Sequence, residues 1–441
     1  MALKDTLGLV SGSKLQFTGD SSTTAYMYSH YMALWFHLMY PDLDLDVFCL
    51  GRSGSALDTW ARDQASAVYP VESYFERYGN IFDPDVVFSM HGHNGDISVA
   101  EHKTLFQSYF DDWMDSPYTR KFVILGVYPK QSLSDGKSIE ARQDAEAELV
   151  AENPGGDLLH AHSWDIIGAT WQANWDNAID IQQWNEGINQ RQAAGDPLLH
   201  PGPAGHIPLA WALLTQLGAE TLVSECTLNA ATNSEISSGK CAISSLDLTA
   251  TGGTFDRLDE SLPWAIDEMG RANAAALFPA VANWMDFSMT IQGLDAGTYE
   301  IRCGGAVIGT KTHTELAAGW NMFDLTVGPV WEQVQGALVA YRNLQGMDPV
   351  TGADLAHPAD DNTVRQVNSS SLSYQNDNTM RGATYQAHQD PYIADLAGLN
   401  ATLKTQCDPI PRTYTITQTI SGPVGQGTLP YKSRASVGRR R

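Results

Sequence analysis

The sequence predicts an α/β protein: a parallel sheet covered on both faces by helices, followed by a smaller antiparallel β module and a helical extension. Three observations carry this. Short apolar runs recur through the first half, at "LQFT" (15–18), "DVFCLG" (46–51), "DVVFSMHG" (85–92), "FVILGVYP" (122–129) and "DLLHAH" (157–162). Stretches of helical character separate them, among them "ISVAEHKTLFQSYFDDWM" and "KSIEARQDAEAELVAEN". That alternation places parallel strands in one sheet with helices on its faces. From about residue 223 the composition shifts to Thr, Ser and Gly in alternating patterns, which reads as antiparallel strands.

Taken in order, "LQFT" is the first strand and runs directly into Gly19-Asp20-Ser21. The segment "AYMYSHYMALWFHLMYP" reads as a buried helix rather than a membrane span, since it contains two His and several Tyr. No apolar run reaches the roughly 18 to 20 residues a bilayer requires. The helix "IPLAWALLTQLGAE" closes the α/β unit, assigned to residues 1–222. Residues 223–330 form the β-rich module, where "LDAGTYEIRCGGAVIG" reads as strand, turn, strand with Gly304-Gly305 at the turn. Residues 331–410 return to helical patterns around a long polar loop. Within 411–441 the strand "RTYTITQTI" precedes a basic tail expected to be disordered.

Hydrophobic residues make up 43% of the 441, enough for a globular core. The formal charge is -24, from 51 acidic and 27 basic residues. A field of that sign repels nucleic acid and anionic membrane surfaces and serves solubility. The start "MALKDTLGLVSG" lacks the charged, apolar, small-residue order of an export leader. A secreted or periplasmic location fits if a leader has been removed, a cytoplasmic one otherwise. The five cysteines have no metal-binding spacing. Cys49 lies in an apolar run as a core residue, and Cys226 and Cys241 flank a polar turn across which a disulfide is conceivable.

In a parallel sheet ligands bind beyond the carboxyl ends of the strands, so the residues just after each run are the informative ones. Gly19-Asp20-Ser21 comes after the first, "GRSGSALDTW" after the second and "HGHNGD" after the third; "GDPLLHPGPAGH" precedes the closing helix. Acyl transfer needs these parts. A Ser hydroxyl is a weak nucleophile until a His takes its proton, and a carboxylate holds that His in the right tautomer. Donors aimed at the developing oxyanion contribute roughly 10²–10³ in rate each. The N–H groups of Ser21 and Gly54 and the side-chain amide of Asn94 are candidates, and glycine at 54 permits close approach of the backbone.

The four blocks "FTGDSST", "RSGSAL", "GHN" and "HPGPAGH" resemble, in order, those of the SGNH (GDSL-type) hydrolases over roughly residues 10–220. The resemblance implies a three-layer α/β/α fold with a five-stranded parallel sheet. It implies Ser21 as nucleophile, Gly54 and Asn94 as oxyanion donors beside the Ser21 N–H, and His200 as general base. Residues 223 to about 410 are similar, more weakly, to the β-rich and helical extension of some bacterial members. Two departures matter. The family's acid stands three residues before the His, where this chain has Pro197; Asp196 is four before, so either the loop bulges by one residue or a Ser-His dyad remains. Asn94 is succeeded by Gly95 and only then Asp96, where the family often has Asp at once.

Rival readings rest on single features. "GRSGS" nearly matches the G-x-S-x-G elbow, which would make Ser53 the nucleophile, but its fifth position is Ser55. His91-x-His93 and His160-x-His162 have a spacing that suits a metal-dependent phosphoesterase. The shifted Asp196 also allows a non-catalytic, carbohydrate-binding protein. The resulting expectation is a cofactor-free and metal-free serine esterase with Ser21, His200 and Asp196 as catalytic residues and Asp20 and His93 as pocket lining. Its partner is a small-molecule or oligosaccharide ester, with acetyl or other short acyl groups favoured by the acidic surface. Lipases, thioesterases and polyester hydrolases share the same blocks.

Overall fold

The computed structural model describes residues 1–20, 23, 27–51, 57, 83–92, 97–127, 133–176, 203–266, 268–344 and 400–421. Among them the α/β unit runs α1 (Leu3–Leu7), β1 (Lys14–Gly19), α2 (Met27–Met39), β2 (Asp46–Gly51), β3 (Val86–Met90) and α3 (Val99–Met114). It continues with β4 (Lys121–Leu125), α4 (Leu133–Glu152), β5 (Leu158–Ala161), α5 (Trp164–Asp176) and α6 (Pro203–Gln216). The five strands pair in parallel in the order β2-β1-β3-β4-β5. This is the doubly wound order whose crevice opens where β1 meets β3, because the chain places β2 on one side of β1 and β3 on the other.

The strand sequences explain why both faces are covered. Side chains alternate along a strand. Phe88, Val123 and Leu125 accordingly enter one core, while Val87, Phe122 and Ile124 enter the other. Helix α3 buries His102, Phe106, Tyr109 and Trp113 against the second core at helical spacing, and Ser98 caps it by accepting from the Glu101 N–H at 3.2 Å. Helix α2 is apolar nearly all round and is buried on every side, from Tyr28 to Met39. One side faces the sheet. Against the helix also pack Trp264, whose indole N–H donates to the Tyr31 carbonyl at 2.7 Å, and Tyr341, whose ring meets His30 at 5.1 Å. Both contacts come from beyond residue 222, so one continuous core joins the α/β unit to the second half of the chain.

Among the described residues that second half contains two sheets. Its strands are β6 (Leu222–Asn229), β7 (Ser234–Gly239), β8 (Cys241–Thr249) and β9 (Gly252–Asp259). After α7 (Glu268–Leu277) come β10 (Asp286–Gln292), β11 (Gly297–Cys303), β12 (Ala306–Thr312) and β13 (Trp320–Asn321). Helix α8 (Pro329–Leu344), helix α9 (400–407) and β14 (Arg412–Ser421) come next among the described residues. Five strands form an antiparallel sheet, β12-β11-β14-β9-β8. The other sheet, β13-β10-β6-β7, differs from the antiparallel expectation because β6 and β10 pair in parallel. A parallel pair needs a long crossover, and the chain through β7, β8, β9 and α7 supplies it. Gly304 and Gly305, both at positive φ (55° and 87°), make the β11–β12 turn as expected. β14 lies between β11 and β9 at the centre of its sheet.

The two sheets are tied by a buried charge cluster. Arg257 of β9 is fully buried and donates to Asp259 at 2.7 Å, to the Ser224 hydroxyl of β6 at 2.6 Å and to the Ser288 carbonyl of β10 at 2.9 Å. Ser224 in turn donates to Asp259 at 2.6 Å. Removing one partner of such a pair leaves an uncompensated buried charge. Asp259→Ala is therefore expected to cost about 3–5 kcal/mol in urea unfolding, with most of it recovered in Arg257→Met/Asp259→Leu. A loss below about 1 kcal/mol for the single variant would show that water reaches Arg257.

The disulfide considered between Cys226 and Cys241 is not formed: both are free thiols. Burial pushes the Cys226 thiol up to about 11, and Cys241 donates to the Glu225 carbonyl at 3.1 Å. Cys49 lies in β2, and its side chain is outside the described residues, as are 422–441. Among the described residues no helix is long and apolar enough to cross a membrane.

Candidate active site

Three strand ends finish flush at the carboxyl edge of the parallel sheet. Gly19 of β1 is in register with Gly51 of β2 on one side and with Met90 of β3 on the other. The edge is too crowded for a side chain at 19, where a Cβ would collide with the Thr23 hydroxyl and the Met90 carbonyl. The Asp20 N–H carries the ladder one residue further by donating to Met90 O at 3.2 Å. Asp20 O then accepts from the Thr23 N–H at 3.1 Å, and Asp20 itself is fully buried.

Thr23 is anchored in turn, since its hydroxyl and the Tyr28 hydroxyl of α2 lie 2.7 Å apart. The Tyr28 ring stacks on that of His206 in α6, with centroids 6.2 Å apart. The residues on either side of positions 21 and 22 are thus linked through α2 to the helix that begins three residues after His200. Pro203 and His206, the last part of the "HPGPAGH" stretch, belong to α6, and His206 is buried.

Beyond β3 the chain turns through His91 and Gly92. His91 is buried, its Nδ1 is 2.9 Å from the Ser89 hydroxyl, and its ring meets Tyr109 edge-on. Burial lowers its pKa to about 4, the nearby Asp20 opposing that shift and His102 adding to it. Gly92 has φ 137°, and a Cβ there would press on the His102 ring at 3.1 Å.

Helix α4 braces this edge with three polar residues that no sequence motif had marked. The Arg142 guanidinium donates to the carbonyls of Gly92 and Ile97, the latter at 3.2 Å. Gln143 donates to Val127 O at 2.7 Å and accepts from the Trp164 N–H at 3.1 Å, tying the segments after β4 and β5. Glu146 is fully buried between two imidazoles, His102 Nε2 at 2.7 Å and His160 Nε2 at 2.9 Å. Burial would raise the Glu146 carboxyl, but the two imidazoles outweigh it and hold the pKa below the ordinary value. The signal in the sequence is their spacing: 142, 143 and 146 share one helical face, a polar stripe turned toward the sheet edge.

Of the residues singled out from sequence, Asp20 stands at this edge, buried in its turn. Ser21, Gly54, His93, Asn94, Asp196 and His200 lie outside the described residues, as does Ser53. Of the two His-x-His pairs, His160 is engaged by Glu146, and His162 lies 3.3 Å from Asp144 and 3.2 Å from Asp165. Among the described residues no group of three or more His, Cys, Asp or Glu is arranged to hold a metal ion.

No family model matches the sequence, and no curated protein matches it. Solved structures do. A gut microbial diltiazem-metabolizing enzyme is similar over 93% of this chain and 98% of its own, with a TM-score of 0.68 at 17% identity. That likeness establishes a shared fold across both halves. A catalytic mutant of an acetylxylan esterase from Geobacillus stearothermophilus matches 48% of this chain and 96% of its own, with a TM-score of 0.33 at 20% identity. An alpha/beta hydrolase from the metagenome of Lake Arreo, Spain, matches 47% and 96%, with a TM-score of 0.33 at 18% identity.

Proposed function

We propose that the chain is a serine ester hydrolase of the SGNH type, acting through an acyl-enzyme on Ser21. The observation that carries this is the flush edge formed by Gly19, Gly51 and Met90. A chain extends at most about 3.5 Å per residue. Ser21, Gly54 and Asn94 come two, three and four residues after these ends, so they lie no more than about 7, 10 and 14 Å beyond them. Three sequence blocks far apart in the chain therefore follow directly on one sheet edge, at the switch point where this topology binds ligands, and that supports the reading. The Thr23–Tyr28–His206 connection supports bringing the His200 block to the same place.

In this reading Ser21 Oγ attacks the acyl carbonyl while His200 takes its proton, and the Ser21 N–H, Gly54 N–H and Asn94 amide receive the oxyanion. His200 returns the proton to the leaving alcohol. Water, deprotonated by the same His, then releases the acid and restores Ser21. Asp196 orients His200. The substrate class proposed is short acyl, chiefly acetyl, esters of soluble alcohols including carbohydrates, because the -24 charge disfavours an anionic lipid interface.

Fluorophosphonate labelling with peptide mapping tests the nucleophile, and a single adduct on Ser21 is the expected result. An adduct on Ser53, or none on folded protein, would overturn the proposal. A series of p-nitrophenyl esters tests the acyl preference: acetate should exceed octanoate by at least about tenfold in kcat/KM, a difference of ~1.4 kcal/mol in transition-state binding.

A further inference from the structure

We propose that Arg142 is a positioning residue for this reaction, fixing Gly92 and Ile97, the described residues on either side of the segment that contains Asn94; the inference rests on the ester-hydrolase reading above. One guanidinium bonds the Gly92 carbonyl at the end of β3 and the Ile97 carbonyl just before α3. These are the two flanks of residues 93–96. Two carbonyls five positions apart are thus set by a single planar, permanently charged group.

The brace is itself stiffened. A side chain at Gly92 would press on the His102 ring, and His102 is paired with Glu146, one helical turn beyond Arg142 on the same face of α4. One helix thus bonds the Gly92 carbonyl directly through Arg142 and pairs through Glu146 with His102 of α3. Both of these Arg142 bonds end on backbone carbonyls rather than carboxylates, so they fix the course of the main chain and neutralise no charge. An oxyanion donor misplaced by about 1 Å costs on the order of 10² in rate. The group that sets the donor's anchors therefore acts on kcat rather than on substrate affinity.

The test uses the full chain with a p-nitrophenyl acetate assay. Arg142→Ala is expected to lower kcat about 10- to 100-fold, leave KM within about threefold, and leave the pH profile unshifted. Guanidinium chloride at tens of millimolar should restore part of the loss, which a merely structural role would not allow. Arg142→Lys, the variant more certain to fold, should remain impaired because one ammonium does not span both carbonyls. Unchanged kcat in either variant, or a loss that tracks the unfolded fraction and resists guanidinium, would overturn the inference. A wild type that neither hydrolyses the ester nor labels at Ser21 would overturn the underlying reading instead, so the two failures are distinguishable.

Discussion

Ser21→Ala is expected to reduce kcat on acetyl esters by about 10⁴–10⁶, the cost of removing the nucleophile from a catalytic unit of this kind. KM should change little, because the oxyanion donors and the pocket remain. The physical reason for so large an effect is that no other group can form the acyl bond; only the stabilisation that preorganised donors give to attack by water is left, roughly 10³ over the uncatalysed reaction. A residual rate within about tenfold of wild type would place the nucleophile elsewhere. Asp196→Asn sharpens the same experiment. If Asp196 holds His200 in its tautomer, the amide should cost about 10⁴, whereas a Ser-His dyad would lose little. The one-residue offset at Pro197 makes both outcomes informative, and the Ser21 result interprets either.

How much of this was legible in the sequence differs by element. The parallel sheet was readable because each strand is a short apolar run, and the runs at β1 and β2 end in Gly. "DVFCLG" spans the same residues as β2, and the others agree within a few residues. The parallel pairing of β6 with β10 was not readable: register between strands far apart in sequence is decided by packing, and alternation specifies a face rather than a partner. The place of β14 between β9 and β11 was hidden for the same reason. The residues proposed for the chemistry of the carboxyl edge, Ser21, Gly54, Asn94, Asp196 and His200, were named from the sequence alone and lie outside the described residues. The surroundings of that edge were not. Arg142, Gln143 and Glu146 lie in a segment read only as helical, because a sequence pattern does not separate a solvated polar stripe from one that serves backbone carbonyls. The histidines of "SHYMALWFH" were read within a buried helix, as the structure has them, and their burial has a measurable consequence.

Stability is expected to fall steeply as the pH drops below about 6.5. His30, His37 and His91 are all buried, and burial lowers each pKa from the ordinary 6.5, to about 3 for His37 and about 4 for His91. Other charges modulate this. Lys404 lowers His37 further while Asp44 raises it, Arg342 and His206 lower His30, and Asp20 raises His91 while His102 lowers it. Above about pH 7 these imidazoles are neutral in both folded and unfolded chains, and contribute no pH dependence. Between about 6.5 and the depressed values the unfolded chain binds protons that the folded chain refuses, so proton uptake accompanies unfolding and acid favours the unfolded state. At about pH 5, His37 and His91 should each remove about 2 kcal/mol, with His30 adding in the same direction. The slope of unfolding free energy between about pH 6 and 5 should therefore reach at least about 2 kcal/mol per pH unit, since each proton contributes up to about 1.4. Glu146 does not share that window, because its depressed pKa makes it titrate below the ordinary carboxylate value. Urea titrations at closely spaced pH values measure the slope directly. His37→Leu should flatten it by close to one proton's worth, because that ring is buried and packs against Tyr341. A slope near zero over this interval would mean that the imidazoles are reached by water and already charged in the folded chain. The apolar packing of α2 between the sheet and Trp264 would then be looser than its burial implies.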